Sequence, residues 1–206
     1  MNRVLAIPGL ATALSLNACG MFSTKATGKK AEQNSSTLAA TWESGCTKPD
    51  FLGFLGQKDE LVFSVVGDFQ RTNRVYDNAN CETEVGNINT TGTYAVMGSS
   101  TNTSDGTRDI NLTVNTFDVT VSSDSMVTAL NLAKFCGLDN WSVNQKVSLL
   151  GLDCAAGKVS RGDAVYEIFR VDNNVLYLSD QLGVVGHRVA ASRPEKLEMG
   201  RPYVKK

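Results

Sequence analysis

The sequence predicts a mainly β protein, an antiparallel up-and-down β-barrel of about eight strands with one inserted amphipathic helix. Three observations carry that expectation. Short apolar runs with period-two alternation recur along residues 38–206, between turns rich in Gly, Asn, Asp and Ser. One segment alone, residues 124–136, places apolar residues at helical spacing. The longest strand candidate switches parity half-way, as a bent strand carrying a β-bulge does. A β-sandwich has the same periodicity and stands as the alternative, because period does not show whether the first and last strands meet.

Taken in order, residues 38–42 give a short first strand ending on Trp42. Residues 61–66 read as the second. Beyond Gly67 and Asp68, residues 69–76 alternate Phe69, Arg71, Asn73 and Val75 against Gln70, Thr72, Arg74 and Tyr76, which predicts a hairpin. Residues 92–96 follow, then a polar loop over 98–106. Next, Ile110, Leu112 and Val114 occupy one face, whereas Phe117, Val119 and Val121 have the opposite parity. A bulge near Asn115 and Thr116 returns both sets to one face.

In the helical segment Met126, Ala129, Leu130 and Ala133 share a face. Ser123 or Asp124 caps its start, Gly137 stops it, and Cys136 falls in the last turn. Residues 164–171 and 175–178 form the clearest hairpin, joined through Asp172, Asn173 and Asn174, which tolerate left-handed backbone; this is a turn rather than a calcium ligand set. The tail around Arg193, Arg201 and Tyr203 either adds a final strand or lies across a barrel mouth.

Composition narrows the function more than it names it. Twenty basic residues against 21 acidic ones leave no global field to attract nucleic acid. The first residues read as an export signal over 1–18: Arg3, then an apolar run over 4–16 interrupted by Pro8 and Gly9 and too short to span a bilayer. That run ends in Leu16-Asn17-Ala18-Cys19, which resembles the bacterial lipobox, with Asn17 where a small residue is usual. The resemblance implies that the Cys19 thiol takes a diacylglycerol, becomes the new N-terminus and is acylated further, palmitate being a typical chain; the alternative is a plain signal peptide cleaved near Ala18 or later. Gly20 in the next position implies delivery to the outer membrane. Residues 19–37, polar and carrying Lys25, Lys29 and Lys30, read as a flexible lipidated tether, leaving 38–206 as one domain.

With Cys19 assigned to lipid, Cys46, Cys81, Cys136 and Cys154 remain, an even number in an exported chain. Three pairings exist; Cys46 with Cys81 and Cys136 with Cys154 is favoured because each joins segments adjacent in chain order. A zinc site is the competing use, but it would have to form without a Cys-x-x-Cys pair and with one histidine.

The stretches Trp42-Glu43-Ser44-Gly45-Cys46, Tyr76-Asp77-Asn78-Ala79-Asn80-Cys81 and Gly92-Thr93-Tyr94 resemble small lipocalin-like extracellular domains of bacterial lipoproteins. They are also similar to the secreted domain type named for being down-regulated in adenomatosis polyposis coli. The resemblance implies a calyx-like fold and a Cys46–Cys81 bridge, with no established chemistry. Lipocalins begin with Gly-x-Trp where this chain has Ala40-Thr41-Trp42. Trp42 is expected to plug the barrel base with its indole nitrogen bonded to backbone.

No sequence arrangement announces catalysis. His-Glu-x-x-His, the Gly-x-Ser-x-Gly elbow and a lysine-bearing phosphate loop are missing from the sequence, and any Ser-His-Asp triad would have to use the sole histidine, His187. The carboxylates Asp59 with Glu60 and Glu82 with Glu84 are expected in polar turns facing solvent. The chain is therefore expected not to be an enzyme and to need no cofactor or metal. It reads as a membrane-anchored envelope lipoprotein binding a small apolar ligand in its barrel. The alternative is a surface interaction or inhibitor protein using loops 98–106 and 181–192, much as small barrel lipoproteins block lysozyme.

Overall fold

The computed structural model describes residues 37–48, 54–101, 103, 106–155, 157–179 and 188–206. The expected signal peptide, Cys19, the tether and His187 lie outside the described residues. In chain order the strands are β1 (Ala40–Ser44), β2 (Gly56–Phe63), β3 (Asp68–Tyr76), β4 (Glu84–Ser99) and β5 (Arg108–Val121). Helix α1 (Asp124–Ala133) follows, then the short β6 (Lys146–Ser148), β7 (Asp153–Cys154) and β8 (Gly157–Lys158), and finally β9 (Ala164–Asp172), β10 (Val175–Leu178) and β11 (Tyr203–Lys205).

Eight of these strands close into a ring, β1–β2–β3–β4–β5–β9–β10–β11 and back to β1, with every neighbouring pair antiparallel. The tail supplies the closing strand: Tyr203 pairs with Ser44 on one side and Leu176 on the other. Closure removes free edges and excludes the sandwich. β6 pairs with the later half of β5, beyond the part that β9 occupies. The short turns β2–β3, β4–β5 and β9–β10 lie at one end, here the turn end; the long connections, α1 among them, lie at the far end.

The parity switch in β5 resolves as a bulge at Asn115. Thr91 pairs with Thr116 but Gly92 with Val114, so Asn115 has no cross-strand partner and points to solvent while Val114 and Val119 both stay buried. The β9–β10 hairpin turns on Asn173 and Asn174, both at positive φ, as a two-residue turn requires. Trp42 is fully buried and its Nε1 donates to the carbonyl of Leu38 at 2.8 Å.

Several expectations need correction: β1 spans Ala40–Ser44 rather than 38–42, β4 spans Glu84–Ser99 rather than 92–96, and Glu60 and Glu84 lie in strands rather than polar turns. β2 runs over Gly56–Phe63 rather than 61–66, and Val65 and Val66 belong to the turn that reverses the chain. The helix ends at Ala133, stopped by Lys134 in the left-handed conformation, so Cys136 lies in a following turn of 3-10 helix instead of the last α-helical turn. The start is as expected, with Ser123 Oγ accepting from the Met126 N–H. Asp59 sits in no polar turn but in the middle of β2, wholly buried.

Side chains fill the ring in layers. Toward the turn end, Leu38, Trp42, Phe63, Phe69, Ile110 and Phe169 form one apolar cluster with their neighbours. Toward the far end, Val75, Val119, Val121, Met126, Leu130 and Trp141 form a second. Met126 brings α1 over the barrel: a Cβ built on Gly86 of β4 would stand 2.3 Å from its sulfur, so glycine makes room for the cap. Cys136 bonds Cys154, fastening the segment after α1, and Cys46 bonds Cys81, joining the connections β1–β2 and β3–β4. Among the described residues no helix is long and apolar enough to cross a membrane.

Candidate functional site

Between the apolar clusters lies a belt of polar side chains directed into the barrel. Directly paired residues of neighbouring strands share a face. Asp59 pairs with Asn73, Leu61 with Arg71 and Arg71 with Thr90, so these groups share the interior with Leu61. Arg71 grips Asp59 with two hydrogen bonds, Nε to Oδ1 at 3.0 Å and Nη2 to Oδ2 at 3.1 Å. Asn73 Nδ2 donates to Oδ1 at 2.9 Å, and the Tyr203 hydroxyl donates to Oδ2 at 3.2 Å. Ser44 Oγ accepts the Asp59 N–H at 2.8 Å and donates to the carbonyl of Gly45 at 3.0 Å. Arg201 stands 3.9 Å from the same carboxylate and donates to Thr47 Oγ1.

Burial alone would push the Asp59 carboxyl up. The Arg71 charge and hydrogen bonds, with those of Asn73, outweigh it and hold Asp59 below the usual carboxylate range. Burial lowers Arg71, but Asp59 more than compensates, so both ends of the pair stay charged. Burial, then the neighbouring Asp59 charge, pushes Tyr203 far above the ordinary phenol value, leaving its hydroxyl a neutral donor.

Glu167 of β9 completes the belt. It is 1% exposed, accepts a hydrogen bond from Ser179 Oγ, and its other oxygen has no partner. Burial raises its carboxyl to about 7, against the Ser179 bond and the charges of Arg71 and Arg193. Of the belt's groups, Glu167 is therefore the one whose charge changes near neutrality. Chemically the belt holds ions in place: Asp59 is saturated by donors, and the Ser44 and Ser179 hydroxyls are both committed to bonds.

The other carboxylates singled out in the sequence do not join this cluster. Glu60 points outward toward Arg74 and Lys206, Glu84 faces Arg74 at 3.7 Å, and Glu82 is exposed. The β4–β5 connection that holds loop 98–106 lies at the turn end; of loop 181–192, residues 188–192 are described, and Arg188 there pairs with Asp163 at 3.1 Å. Past that point Arg193 lies across the outside of β5 and β9, donating to the carbonyls of Ile110 and Glu167 and to Asn111 Oδ1. An open hollow of about 470 Å³ on the outer wall is bordered by Glu43, Lys58, Val204 and Lys206. Sequence reasoning missed Asp59, Arg71 and Glu167 as a group; the one available signal was Arg71 and Asn73 falling on the same alternating face as Phe69 and Val75.

No protein-family model matches the chain, and no curated protein is significantly similar to it. The closed eight-stranded antiparallel barrel is compatible with a lipocalin-like fold on geometry alone.

Proposed function

We propose that this chain is a non-catalytic lipoprotein of the bacterial cell envelope, attached to the outer membrane through acyl groups on Cys19, that acts by binding a protein partner at the ends of its barrel. The filled interior carries this reading. Leu38, Trp42, Ile110, Phe169 and Leu176 have essentially no surface accessible to water, and an ion-paired belt crosses the middle. A guest would have to displace packed side chains, which leaves recognition to loops and outer wall. The four cysteines of the folded part are joined in two disulfides, which supports a location outside a reducing cytosol.

A small apolar ligand in the barrel is the second reading, favoured by the strand number, since a ring of this size holds either its own side chains or one small molecule. Titration with an apolar fluorescent probe separates the two. Stoichiometric uptake supports the ligand; no uptake, with a specific envelope protein recovered after mild cross-linking, supports the surface reading. Radiolabelled palmitate entering the protein and lost in Cys19→Ser is the outcome expected for the anchor, and an unlabelled parent protein overturns it. Should a hydrolytic activity be detected, its loss in His187→Ala would overturn the non-catalytic reading.

A further inference from the structure

Val65 and Val66 occupy the tip of the β2–β3 turn and are 75% and 80% exposed. Such tips ordinarily carry Gly, Asn, Asp or Ser. The turn is firmly framed. The Ser64 N–H donates to the Asp68 carbonyl at 2.9 Å, and the Ser64 Oγ accepts the Asp68 N–H at 2.9 Å. The Tyr94 hydroxyl donates to the Ser64 carbonyl at 2.6 Å and its N–H to the Gly67 carbonyl at 2.7 Å, while its ring meets Phe63 edge-on. Gly67, at φ +95°, supplies the conformation that closes the reversal. The two valines are thus presented to solvent by a fixed support, which lowers the ordering cost of binding.

What they meet is indicated by where the chain joins the barrel. Ala40, the first residue of β1, pairs with Phe63, the last residue of β2, so β1 begins at the same end of the barrel as this tip. Residues 20–37 separate Cys19 from the start of the folded part, and a chain of that length reaches no further than about 60 Å even when fully extended. Exposed Met97 of β4 and exposed Lys205 of β11, which pairs with Trp42, lie at the same end. An apolar tip held within tens of ångströms of an acyl anchor has the composition of an interfacial contact. Tethering makes even a weak contact effective, because the surface is already local.

We propose that the turn end of the barrel docks onto the lipid bilayer that carries the anchor, with Val65 and Val66 entering the boundary between headgroups and acyl chains. The proposal rests on acylation of Cys19. It leaves the far end, with α1, directed away from the membrane toward a partner.

The test uses the full-length protein reconstituted in phosphatidylethanolamine and phosphatidylglycerol vesicles, with an environment-sensitive fluorophore on Val66→Cys or, as a control, on Leu132→Cys. Leu132 is 82% exposed on α1 at the far end. The expected result is a blue shift at position 66 and loss of its emission when brominated lipids are included, with neither change at position 132. Mass spectrometry of the same sample reports the state of Cys19. Acylated Cys19 with an unquenched probe at 66 overturns docking alone; unmodified Cys19 overturns the anchor and the docking together. A probe at 66 that shifts only when envelope proteins are added, without bromolipid quenching, assigns the tip to a protein and overturns the proposal.

Discussion

Arg71 lies alongside the carboxylate of Asp59 inside the barrel, its Nε and Nη2 3.0 and 3.1 Å from the two oxygens, on the strand next to the one that carries the acid. Two parallel bonds of this kind fix orientation as well as charge. Asn73 and Tyr203 fill further acceptor positions on the same carboxylate, tying β2, β3 and the closing strand β11 to one ion.

Removing one partner leaves the other as an uncompensated buried charge. Asp59→Asn is therefore expected to destabilise the protein by about 3–5 kcal/mol, whereas the joint replacement Asp59→Leu with Arg71→Met recovers much of that loss. Urea unfolding of the disulfide-intact proteins measures both. Losses that simply add in the double variant would reject the coupling.

Glu167 gives the protein an unusual pH profile. Its carboxyl titrates near 4.5 in an unfolded chain and at about 7 when folded, so its stabilising contribution is fully present below 4.5 and is lost as pH rises through 7. The expected loss is about 3 kcal/mol at 1.36 kcal/mol per pH unit. Asp59 acts in the opposite sense, contributing above its unfolded value of 3.8 and losing that contribution as pH falls through its lowered folded value. Stability should peak in the weakly acidic range, and Glu167→Gln should flatten the decline between pH 4.5 and 7. An unchanged slope in that variant would remove Glu167 from the account.

Local signals were the legible ones. The bulge at Asn115 shows as a parity switch within one strand, and the Asn173–Asn174 turn as two residues suited to positive φ. The β2 boundaries were not legible, because Lys58, Asp59 and Glu60 look like loop residues until Arg71 is placed beside Asp59. Val65 and Val66 continue an apolar β-branched run in sequence, yet the reversal into β3 consumes them. Glu167 meets Ser179 across the β9–β10 hairpin, but it feels the Arg71 charge only after the ring has closed, so no windowed pattern brings the three together. Lys134 stops α1 in a left-handed conformation that its residue type does not announce.

Close strand approach makes Gly92 a sensitive position. A Cβ there would stand 1.9 Å from the Thr113 carbonyl oxygen and 2.6 Å from Phe69, and the first of these is backbone that cannot swing aside. Gly92→Ala should cost at least about 1–3 kcal/mol, the usual range for overpacking, by strain next to the bulge. Gly45→Ala, with nothing within 4 Å of the new carbon, should be close to neutral in the same thermal or urea unfolding series. Similar losses at both positions would mean that glycine's backbone freedom, not contact, sets the effect.

The two disulfides span 35 and 18 residues of sequence. Loop-closure entropy grows by only about 0.6 kcal/mol per doubling of loop length, so the paired replacements Cys46→Ala/Cys81→Ala and Cys136→Ala/Cys154→Ala should each cost about 2–5 kcal/mol, the first slightly more. Denaturation midpoints of the two double variants provide the comparison. A much larger loss for Cys136 with Cys154 would show that fastening the far-end cap matters beyond chain entropy.

Met126 measures how far α1 is part of the core. It is fully buried within the far-end cluster, its sulfur lies over Gly86, and the helix that carries it starts directly after β5. Truncation leaves a cavity between helix and barrel, so Met126→Ala should cost about 2–5 kcal/mol. Leu132→Ala, on the solvent side of the same helix, changes helix propensity by a few tenths of a kcal/mol and removes no core contact. If α1 caps the ring as one cooperative unit, Met126→Ala lowers the global unfolding midpoint with an unchanged denaturant slope. A separate early transition in far-ultraviolet circular dichroism would instead show a helix that comes away while the ring stays closed.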